Sequence, residues 1–211
     1  MITISIADDH RILREGLRRI LDEASDMKVI DEASNGREIL EKVRANRPDI
    51  VLLDISMPDM DGLDATKHIH GLFPELPILI LTVHPARQYA VRILRAGAKG
   101  YLDKQAAPEE LIDAVRKVCA GQRYLSPEAS EELALQLIGD GANFSPVESL
   151  SDRELQVLCL IANGRKTTEI AEELCLSIKT VNTYRSRILE KLHLRNNADL
   201  TRFAIKHNLV K

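Results

Sequence analysis

The stretch ITISIADDH, residues 2–10, is a run of apolar and β-branched side chains that ends in a pair of acids, Asp8 and Asp9. A second stretch, DIVLLDISMPDMDG at residues 49–62, ends its apolar run at Asp54 in the same way. Short apolar runs of this kind are typical of strands buried in a parallel sheet. Because neighbouring parallel strands end at one edge of a sheet, we expect the three carboxylates to meet there and to form a site for a hard divalent cation and a phosphoryl group.

The rest of the N-terminal half predicts the sheet to which these strands belong. Stretches with helical periodicity, such as residues 12–21 and 39–43, separate successive apolar runs. Five strands alternating with five helices indicate a doubly wound α/β domain with a flavodoxin-like, five-stranded parallel sheet in the order 2-1-3-4-5. In that order strands one and three flank the crevice in which such sheets bind ligands. The predicted strands are Ile2–Ala7, Lys28–Glu32, Ile50–Leu53, Ile78–Leu81 and Gly100–Leu102.

Two further polar residues, Thr82 and Lys104, end or follow the fourth and fifth of these strands. A carboxylate can attack phosphorus and form an aspartyl phosphate, so Asp54 is the candidate nucleophile. A metal ion, an ammonium group and a hydroxyl group aimed at the oxygens of the moving phosphoryl group supply most of the catalysis in such a transfer. We therefore assign the metal to Asp9 with Asp8, and the phosphoryl oxygens to Lys104 and Thr82.

Each of these residues also has an ordinary structural interpretation. Asp8 or Asp9 could be the N-cap of the helix that follows, because Asp is a common capping residue. Lys104 could be a solvated surface charge, and Thr82 an ordinary strand residue. The functional interpretation rests on the coincidence of five positions at the carboxyl ends of the right strands.

Residues 1–120 resemble the receiver domain of bacterial two-component response regulators. The resemblance lies in ADDH at 7–10, LLDISMPDMDG at 52–62, Thr82, and KGYLDK at 99–104. It implies that Asp54 is the phosphoacceptor, that the side chains of Asp9 and Asp54 bind Mg²⁺, that Asp8 acts in part through water, and that Ser56 offers its backbone carbonyl.

The same resemblance implies a switch. Tyr101 matches the aromatic residue that turns inward as Thr82 moves toward the phosphoryl group, which changes the face around the fourth helix, the fifth strand and the fifth helix. In receivers the positions of Ser56 and His84 flank the path of the hydrolytic water, so the resemblance implies that these two residues tune the lifetime of the phosphoryl group. The alternative is that His84 is a solvated loop residue before Pro85. Gln105 follows Lys104 where many receivers have proline, a departure that puts a cis bond at this loop in doubt.

Length and composition predict two domains and a linker. The chain has 211 residues, which we divide into a receiver at 1–121, a linker at 122–146 and a second domain at 147–211. In the linker, Ser126 and Pro127 open a short helix that contains Leu133 to Ile138, and GDGANFSP at 139–146 is a hinge. The chain has no apolar stretch of ~20 residues and no signal segment, so we expect that it does not span a membrane. We interpret its three cysteines as reduced core residues, which predicts a cytoplasmic protein.

The C-terminal segment is more basic than the rest of the chain. From Ser145 onward there are 11 Lys and Arg against 8 Asp and Glu, a net charge of +3, so the remainder carries −6 to give the total of −3. Within this segment, Ser151 and Glu154 predict a capping box at the start of a helix that Asn163 and Gly164 end. A second helix is predicted at residues 168–174.

A third helix is predicted from Ile178 to Leu192. It would bury Val181, Ile188, Leu189 and Leu192 and present an opposite face of polar and basic residues, namely Lys179, Asn182, Arg185 and Ser186. Two helices joined by a tight turn, with amide, hydroxyl and guanidinium groups on the second, form a helix-turn-helix that fits the DNA major groove. The alternative is a small helical interaction module with a solvated charged face.

Residues 147–211 resemble the four-helix DNA-binding domain of LuxR-type regulators, through LSDRELQVLCLIANG, EIAEELCLS and KTVNTYRSRILEKL. Behind a receiver, such a domain implies a response regulator of the NarL/FixJ family. The resemblance makes the last helix, about Asn197 to His207, a dimerisation surface on which Leu200 and Phe203 could be buried. The resemblance also implies that Asn182, Thr183 and Ser186 contact bases. The residues that it implies contact phosphates are Lys179, Thr180, Tyr184, Arg185, Arg187 and Lys191.

These inferences describe a phosphorylation-controlled transcription regulator rather than an enzyme with a separate substrate. The expected partners are a sensor histidine kinase or a small acyl phosphate, Mg²⁺, double-stranded DNA with two-fold sites, and a second copy of the chain when phosphorylated; RNA polymerase is a further candidate. One rival is a phosphotransferase of the dehalogenase type, which needs an acid two residues after the nucleophile, where this chain has Ser56. The other is a DNA-binding protein with a degenerate receiver, against which the acidic residues and Lys104 argue.

Overall fold

The computed structural model describes residues 1–83, 86–126, 129–130, 146–174, 176–207 and 209–210. They form two compact units, one with all the described residues up to 130 and one with those from 146 onward. We describe each unit by itself. Among the described residues, no helix is long and apolar enough to cross a membrane.

The first unit is built on a five-stranded, all-parallel sheet in the order β2-β1-β3-β4-β5, which confirms the predicted topology. The strands at the middle of the sheet consist almost entirely of buried residues, as the apolar runs predicted. β3, β4 and β5 each extend one residue beyond the apolar run, because Asp54, Thr82 and Asp103 still pair with the neighbouring strand. The strands are β1 Ile2–Ala7, β2 Met27–Ala33, β3 Ile50–Asp54, β4 Ile78–Thr82 and β5 Gly100–Asp103.

Five helices pack on this sheet. They are α1 Arg11–Glu23, α2 Gly36–Ala45, α3 Gly62–Leu72, α4 Ala86–Arg95 and α5 Pro108–Cys119. α1 and α5 share an apolar core with the sheet, in which Leu21 and Val115 are fully buried. The N-cap of α1 is His10, without a side-chain cap, so the interpretation of Asp8 or Asp9 as the N-cap of this helix is wrong. The Asp8 side chain instead accepts a hydrogen bond from the backbone N–H of His10 at 2.8 Å.

The second unit contains four helices, α6 Asp152–Ala162, α7 Thr167–Glu173, α8 Ile178–Lys191 and α9 Asn197–Lys206. The predicted capping box is present, since the Ser151 side chain accepts from the backbone N–H of Glu154 while Glu154 accepts from that of Ser151. Asn163 is the C-cap of α6, and Gly164 follows with a φ of 79°, which favours glycine. Each observed end of α7, α8 and α9 lies within one residue of the predicted end, a difference that the fraying of helix termini allows.

The core of the second unit lies between α6, α8 and α9. Its fully or almost fully buried side chains are Leu155, Leu158, Val181, Ile188 and Leu200. Leu189 and Leu192, which we expected to be buried, are only half-buried, as is Phe203. Leu189 lies at the edge of the helix face that Val181 and Ile188 define, and Leu192 is the C-cap of α8, where the helix ends.

Only the start of the predicted linker helix lies in the described part of the chain. The Ser126 hydroxyl accepts a hydrogen bond from the Ala129 N–H at 3.3 Å, and its carbonyl accepts from the Ser130 N–H at 3.0 Å, as at the start of a helix. Pro127, the predicted apolar residues 133–138 and the hinge at 139–145 lie outside the described residues, as does Cys175. Cys159 is buried in α6. Cys119 is a free thiol, and burial, aided by the charge of Asp49, raises its pKa to about 11.

Candidate functional site

Carboxylates and one lysine meet at the carboxyl edge of the sheet, as the sequence predicted. Asp8 follows β1 and Asp54 ends β3, and they are 1% and 3% exposed. The Lys104 ammonium lies 2.7 Å from Asp8 Oδ2 and 2.8 Å from Asp54 Oδ2. The adjacency of β1 and β3 in the sheet brings the two acids together, and the turn after β5 returns Lys104 to them.

Burial governs the electrostatics of this cluster. It raises the pKa of the Asp54 carboxyl to about 6, opposed by Lys104 and aided by the charge of Asp8, while the Ser56 backbone N–H donates a hydrogen bond to Asp54 and lowers the pKa. Burial by itself lowers the pKa of Lys104, but Asp54 and Asp8 outweigh that effect and raise it, so the lysine stays protonated. One ammonium does not balance two buried carboxylates and the neighbouring Asp9. A buried excess of negative charge calls for a further cation.

The donor atoms in this cluster fit a metal ion. One ligand atom from each of Asp8, Asp9, His10 and Asp54 lies within 4.8 Å of the others. Most of these donors are carboxylate oxygens, the ligands that Mg²⁺ prefers. The His10 Nδ1 atom is 2.7 Å from Asp9 Oδ1 and 3.4 Å from Asp8 Oδ1, at the open side of the cluster.

The other predicted residues of the site lie around this cluster. Thr82 is fully buried at the end of β4, beside β3, and its carbonyl accepts a hydrogen bond from the Lys104 N–H at 3.1 Å. Tyr101, on β5, is 2% exposed and so is directed inward. Ser56 is half-exposed in the loop after β3. His84 lies outside the described residues.

A cavity of about 600 Å³ opens beside the site. Asp54, Ser56 and Lys104 contribute to its lining, together with apolar residues of α1, such as Leu13 and Leu17, and of β4, β5 and α5. Ile12 and Val83, at its rim, are 87% and 60% exposed. The cavity therefore joins Asp54 to an apolar surface with exposed residues.

In the second unit, α8 exposes three of the four residues that we placed on its polar face, namely Lys179, Asn182 and Ser186. The fourth, Arg185, is half-buried, because it lies one turn after Val181 on the same side of the helix. The Ser177 hydroxyl caps the helix by accepting a hydrogen bond from the Thr180 N–H at 3.0 Å. Opposite the buried Val181 and Ile188 lies a row of exposed side chains, formed by Lys179, Asn182, Thr183 and Ser186. Arg187 is also exposed, whereas Thr180, Tyr184 and Arg185 are half-buried.

Two of the predicted phosphate contacts make bonds within the unit. Arg185 Nε donates to Asn197 Oδ1 of α9 at 2.6 Å. Lys191 Nζ lies 2.7 Å from Glu154 Oε2, a side chain only 3% exposed, and 3.1 Å from the Ser149 carbonyl oxygen. Burial by itself raises the pKa of Glu154, but the bonds from Lys191 and Ser151 outweigh it and lower the pKa. Lys191 therefore fastens the end of α8 to the start of α6.

Both units match known protein families. Residues 4–116 match the response regulator receiver domain, and residues 148–204 match the luxR family of bacterial regulatory proteins. The chain is a two-component response regulator of the NarL/FixJ family. It is a DNA-binding transcription regulator and not an enzyme of the dehalogenase type.

Other response regulators are similar over the whole chain. The response regulator UvrY of an Escherichia coli strain is 44% identical over 209 residues, which are 99% of this chain and 96% of that protein. GacA of Pseudomonas aeruginosa is 40% identical over 210 residues, 100% of this chain and 98% of that protein.

Solved structures of response regulators agree with this fold. ChrA, from a heme-sensing two-component system, has a TM-score of 0.54 and 33% identity, covering 99% of this chain and 98% of ChrA. RcsB of Salmonella enterica, bound to the rprA promoter with the phosphomimetic BeF₃⁻, has a TM-score of 0.63 and 28% identity, covering 96% of this chain and 97% of RcsB.

Two features of the response-regulator site were not predicted. His10 joins the acidic cluster, and its place directly after the acid pair was the available signal. Gly62 opens α3 against the backbone of Asp54, where an added Cβ would lie 1.9 Å from the Asp54 carbonyl oxygen. The Asp-Gly pair at 61–62 marks a turn in the sequence, but a turn signal gives no information on which backbone it approaches.

Proposed function

We propose that phosphorylation of Asp54 controls sequence-specific DNA binding by this response regulator. The observation that carries the proposal is the buried Asp54 carboxylate, 2.8 Å from the Lys104 ammonium at the edge of the sheet, in the same chain as the exposed polar face of α8. A sensor histidine kinase or a small acyl phosphate would supply the phosphoryl group. Either donor would approach Asp54 through the cavity beside it. Because the protein must reach DNA in order to bind it, we infer that it acts in the cytoplasm.

The proposed chemistry is a single displacement at phosphorus. An Asp54 carboxylate oxygen forms the new bond to phosphorus, the bond to the donor breaks, and the leaving group keeps the electron pair. With a pKa raised to about 6, Asp54 is still mostly ionised at neutral pH, as a nucleophile requires. The Lys104 ammonium and the Thr82 hydroxyl would stabilise the charge on the phosphoryl oxygens.

Mg²⁺ fits the oxygen-rich cluster. We assign it to the side chains of Asp9 and Asp54 and the backbone carbonyl of Ser56, with Asp8 acting in part through water. When bound, the ion neutralises charge on the phosphoryl oxygens. Its contribution would complement Lys104, which by itself leaves the carboxylates under-neutralised.

The switch would use the neighbours of Asp54 in the sheet. Thr82 lies at the end of β4 next to β3, and Tyr101 lies on β5 next to β4. Movement of the Thr82 hydroxyl toward a phosphoryl group would alter the packing of Tyr101 and thereby the face formed by α4, β5 and α5. We propose that the altered face either frees the DNA-binding domain to bind DNA or promotes its dimerisation.

For DNA recognition we assign base contacts to Asn182, Thr183 and Ser186, on the exposed face of α8. The proposed phosphate contacts fall into two groups. Lys179 and Arg187 are fully exposed, with Thr180 and Tyr184 beside them. Arg185 and Lys191 would have to exchange or share their contacts with Asn197 and Glu154 to reach a phosphate.

Phosphorylation is expected to convert the protein into a dimer on two half-sites roughly one helical turn, ~34 Å, apart, because a two-fold helix-turn-helix dimer must place its recognition helices in successive major grooves. Analytical ultracentrifugation with and without a beryllofluoride phosphoryl analogue measures the change in mass, and a gel-shift series with altered half-site spacing measures the fit. Asp54→Asn is the control and should stay insensitive to the analogue. A protein that remains monomeric with the analogue and binds one half-site tightly contradicts this prediction.

On DNA, Asn182→Ala should relax sequence choice, whereas Lys179→Ala should weaken specific and random sites alike. A base-edge contact is worth ~1–3 kcal/mol of discrimination, and loss of one phosphate contact reduces the slope of log affinity against log salt by about one. Lys179 is a cleaner phosphate probe than Arg185, whose removal would also break the bond to Asn197. Equilibrium binding to a selected site and to random DNA over a salt series tests whether Asn182 contacts a base and Lys179 a phosphate.

The matched control for Lys179→Ala is Arg195→Ala, which removes an exposed cation from the turn between α8 and α9 of the same unit. It should leave both the salt slope and the specificity nearly unchanged. Equal losses on specific and random DNA for Asn182→Ala and Lys179→Ala would refute the division of roles.

A further inference from the structure

The backbone of Lys104 lies in the turn after β5, and its long side chain extends from this turn into the site. Its ammonium reaches two carboxylates, and the side chain is 7% exposed. A lysine side chain loses rotamer entropy when it is held in one conformation, so the direction of its ammonium group depends on a fixed backbone at its base. The backbone at Lys104 is therefore as important to the aim of the ammonium as the carboxylates that attract it.

Three hydrogen bonds fix that backbone. The Lys104 N–H donates to the Thr82 carbonyl at 3.1 Å, which ties it to β4. The Ala106 N–H donates to the Asp103 carbonyl at 3.0 Å and closes the turn. The Gln105 N–H donates to Asp103 Oδ1 at 2.8 Å. The third bond is the only one of these that uses a side chain, and Asp is favoured at the first position of such turns because its short side chain can accept the bond.

The identity of residue 105 makes this bond possible. Gln105 carries a backbone N–H where a proline would have none, and there is no cis peptide among the described residues. The Asp103 carboxylate takes up the N–H. Asp103 itself is exposed, so it contributes little to the core, and its polar contact with the turn is the main feature of its position.

We propose that Asp103 is a positioning residue for phosphoryl transfer, which aims the Lys104 ammonium by holding the N–H of Gln105. The inference rests on the proposed function, because Lys104 acts on a phosphoryl group only if Asp54 receives one. The role belongs to the acceptor oxygen of Asp103 and not to its negative charge, which by itself would repel an incoming phosphoryl donor. An asparagine at this position keeps the acceptor and removes the charge.

The test is the initial rate of phosphoryl labelling of the full chain by an acyl phosphate with Mg²⁺, followed by intact-protein mass. Asp103→Ala should label about three- to tenfold more slowly than wild type, less than the ~10²-fold that a 1 Å misplacement can cost, because water replaces part of an exposed bond. Asp103→Asn should recover most of the rate. Asp113→Ala, which removes an exposed acid paired with Lys117 on α5, is the matched control and should label like wild type.

A double-mutant cycle separates positioning from a general structural effect. In a Lys104→Ala background, Asp103→Ala should have no further effect, since the group that it aims is gone. Equal rates for wild type and Asp103→Ala overturn the inference, as does an equal loss for Asp103→Ala and Asp103→Asn, or an undiminished loss in the Lys104→Ala background. Absence of label on wild type overturns the proposed function, and this inference with it.

Discussion

Asp54→Asn is expected to abolish phosphoryl labelling by acyl phosphate, whereas the wild-type chain takes up one phosphoryl group. An amide is not a nucleophile toward phosphorus, so the variant lacks the group that forms the new bond to phosphorus. We expect a loss of more than ~10²-fold in the labelling rate, as for removal of a covalent nucleophile. Intact-protein mass with Mg²⁺, and again with a chelator, measures both the label and its dependence on the metal.

The variant should remain folded, which makes the experiment decisive. Because burial raises the pKa of Asp54 to about 6, a neutral side chain of the same shape removes an unfavourable buried charge, and Lys104 keeps its contact with Asp8. Asp59→Asn is the matched control. Asp59 is an exposed acid in the same loop with a φ of 62°, a conformation that Asn also tolerates, and its replacement should leave labelling intact. Label that survives in Asp54→Asn would move the phosphoacceptor to another residue.

The part of the site that could be predicted from the sequence is the part that topology determines. Once the apolar runs are assigned to parallel strands in the order 2-1-3-4-5, the residues at their carboxyl ends must share one edge, and Asp8, Asp54 and Thr82 do. The exposed face of α8 could be predicted for a similar reason. A helix of 3.6 residues per turn places Lys179 and Ser186 opposite Val181 whatever surrounds it.

The rest depends on contacts between residues far apart in the chain. Lys191 and Arg185 belong to a basic helix by sequence, but the structure pairs Lys191 with Glu154, 37 residues earlier, and Arg185 with Asn197, 12 residues later. Helical periodicity gives the direction of a side chain and not its neighbour. The Asp103 turn is a local contact between residues 103 and 105, and it escaped prediction for a different reason. The sequence indicated a loop without proline but not which side chain would bind the free N–H.

Gly62→Ala is expected to destabilise the receiver by ~3 kcal/mol or more, at the upper end of the cost of overpacking. A Cβ at this position would lie 1.9 Å from the Asp54 carbonyl oxygen, 2.8 Å from the Asp54 carbonyl carbon and 2.9 Å from the Ile55 Cα atom. These are backbone atoms of a buried strand and its continuation, so they cannot move aside as a flexible side chain would. The Gly62 N–H also donates to the Ile55 carbonyl at 2.9 Å, which fixes the start of α3 against the end of β3.

The same helix supplies a control in which the identical substitution has the opposite sign. An added Cβ at Gly71 meets nothing within 4 Å, so Gly71→Ala should stabilise α3 by ~0.5–1 kcal/mol through helix propensity alone. Hydrogen exchange followed by mass spectrometry on the full chain reports the β3 amides separately from the second unit. A loss of ~3 kcal/mol corresponds to protection that falls by more than ~10²-fold, since each 1.4 kcal/mol is a factor of ten. If Gly62→Ala and Gly71→Ala change the protection of β3 equally, the close approach to Asp54 is not a constraint on the site. If only Gly62→Ala lowers it, and slows labelling of Asp54 as well, the residue that bears the phosphoryl group is held in place by the absence of a side chain eight residues away.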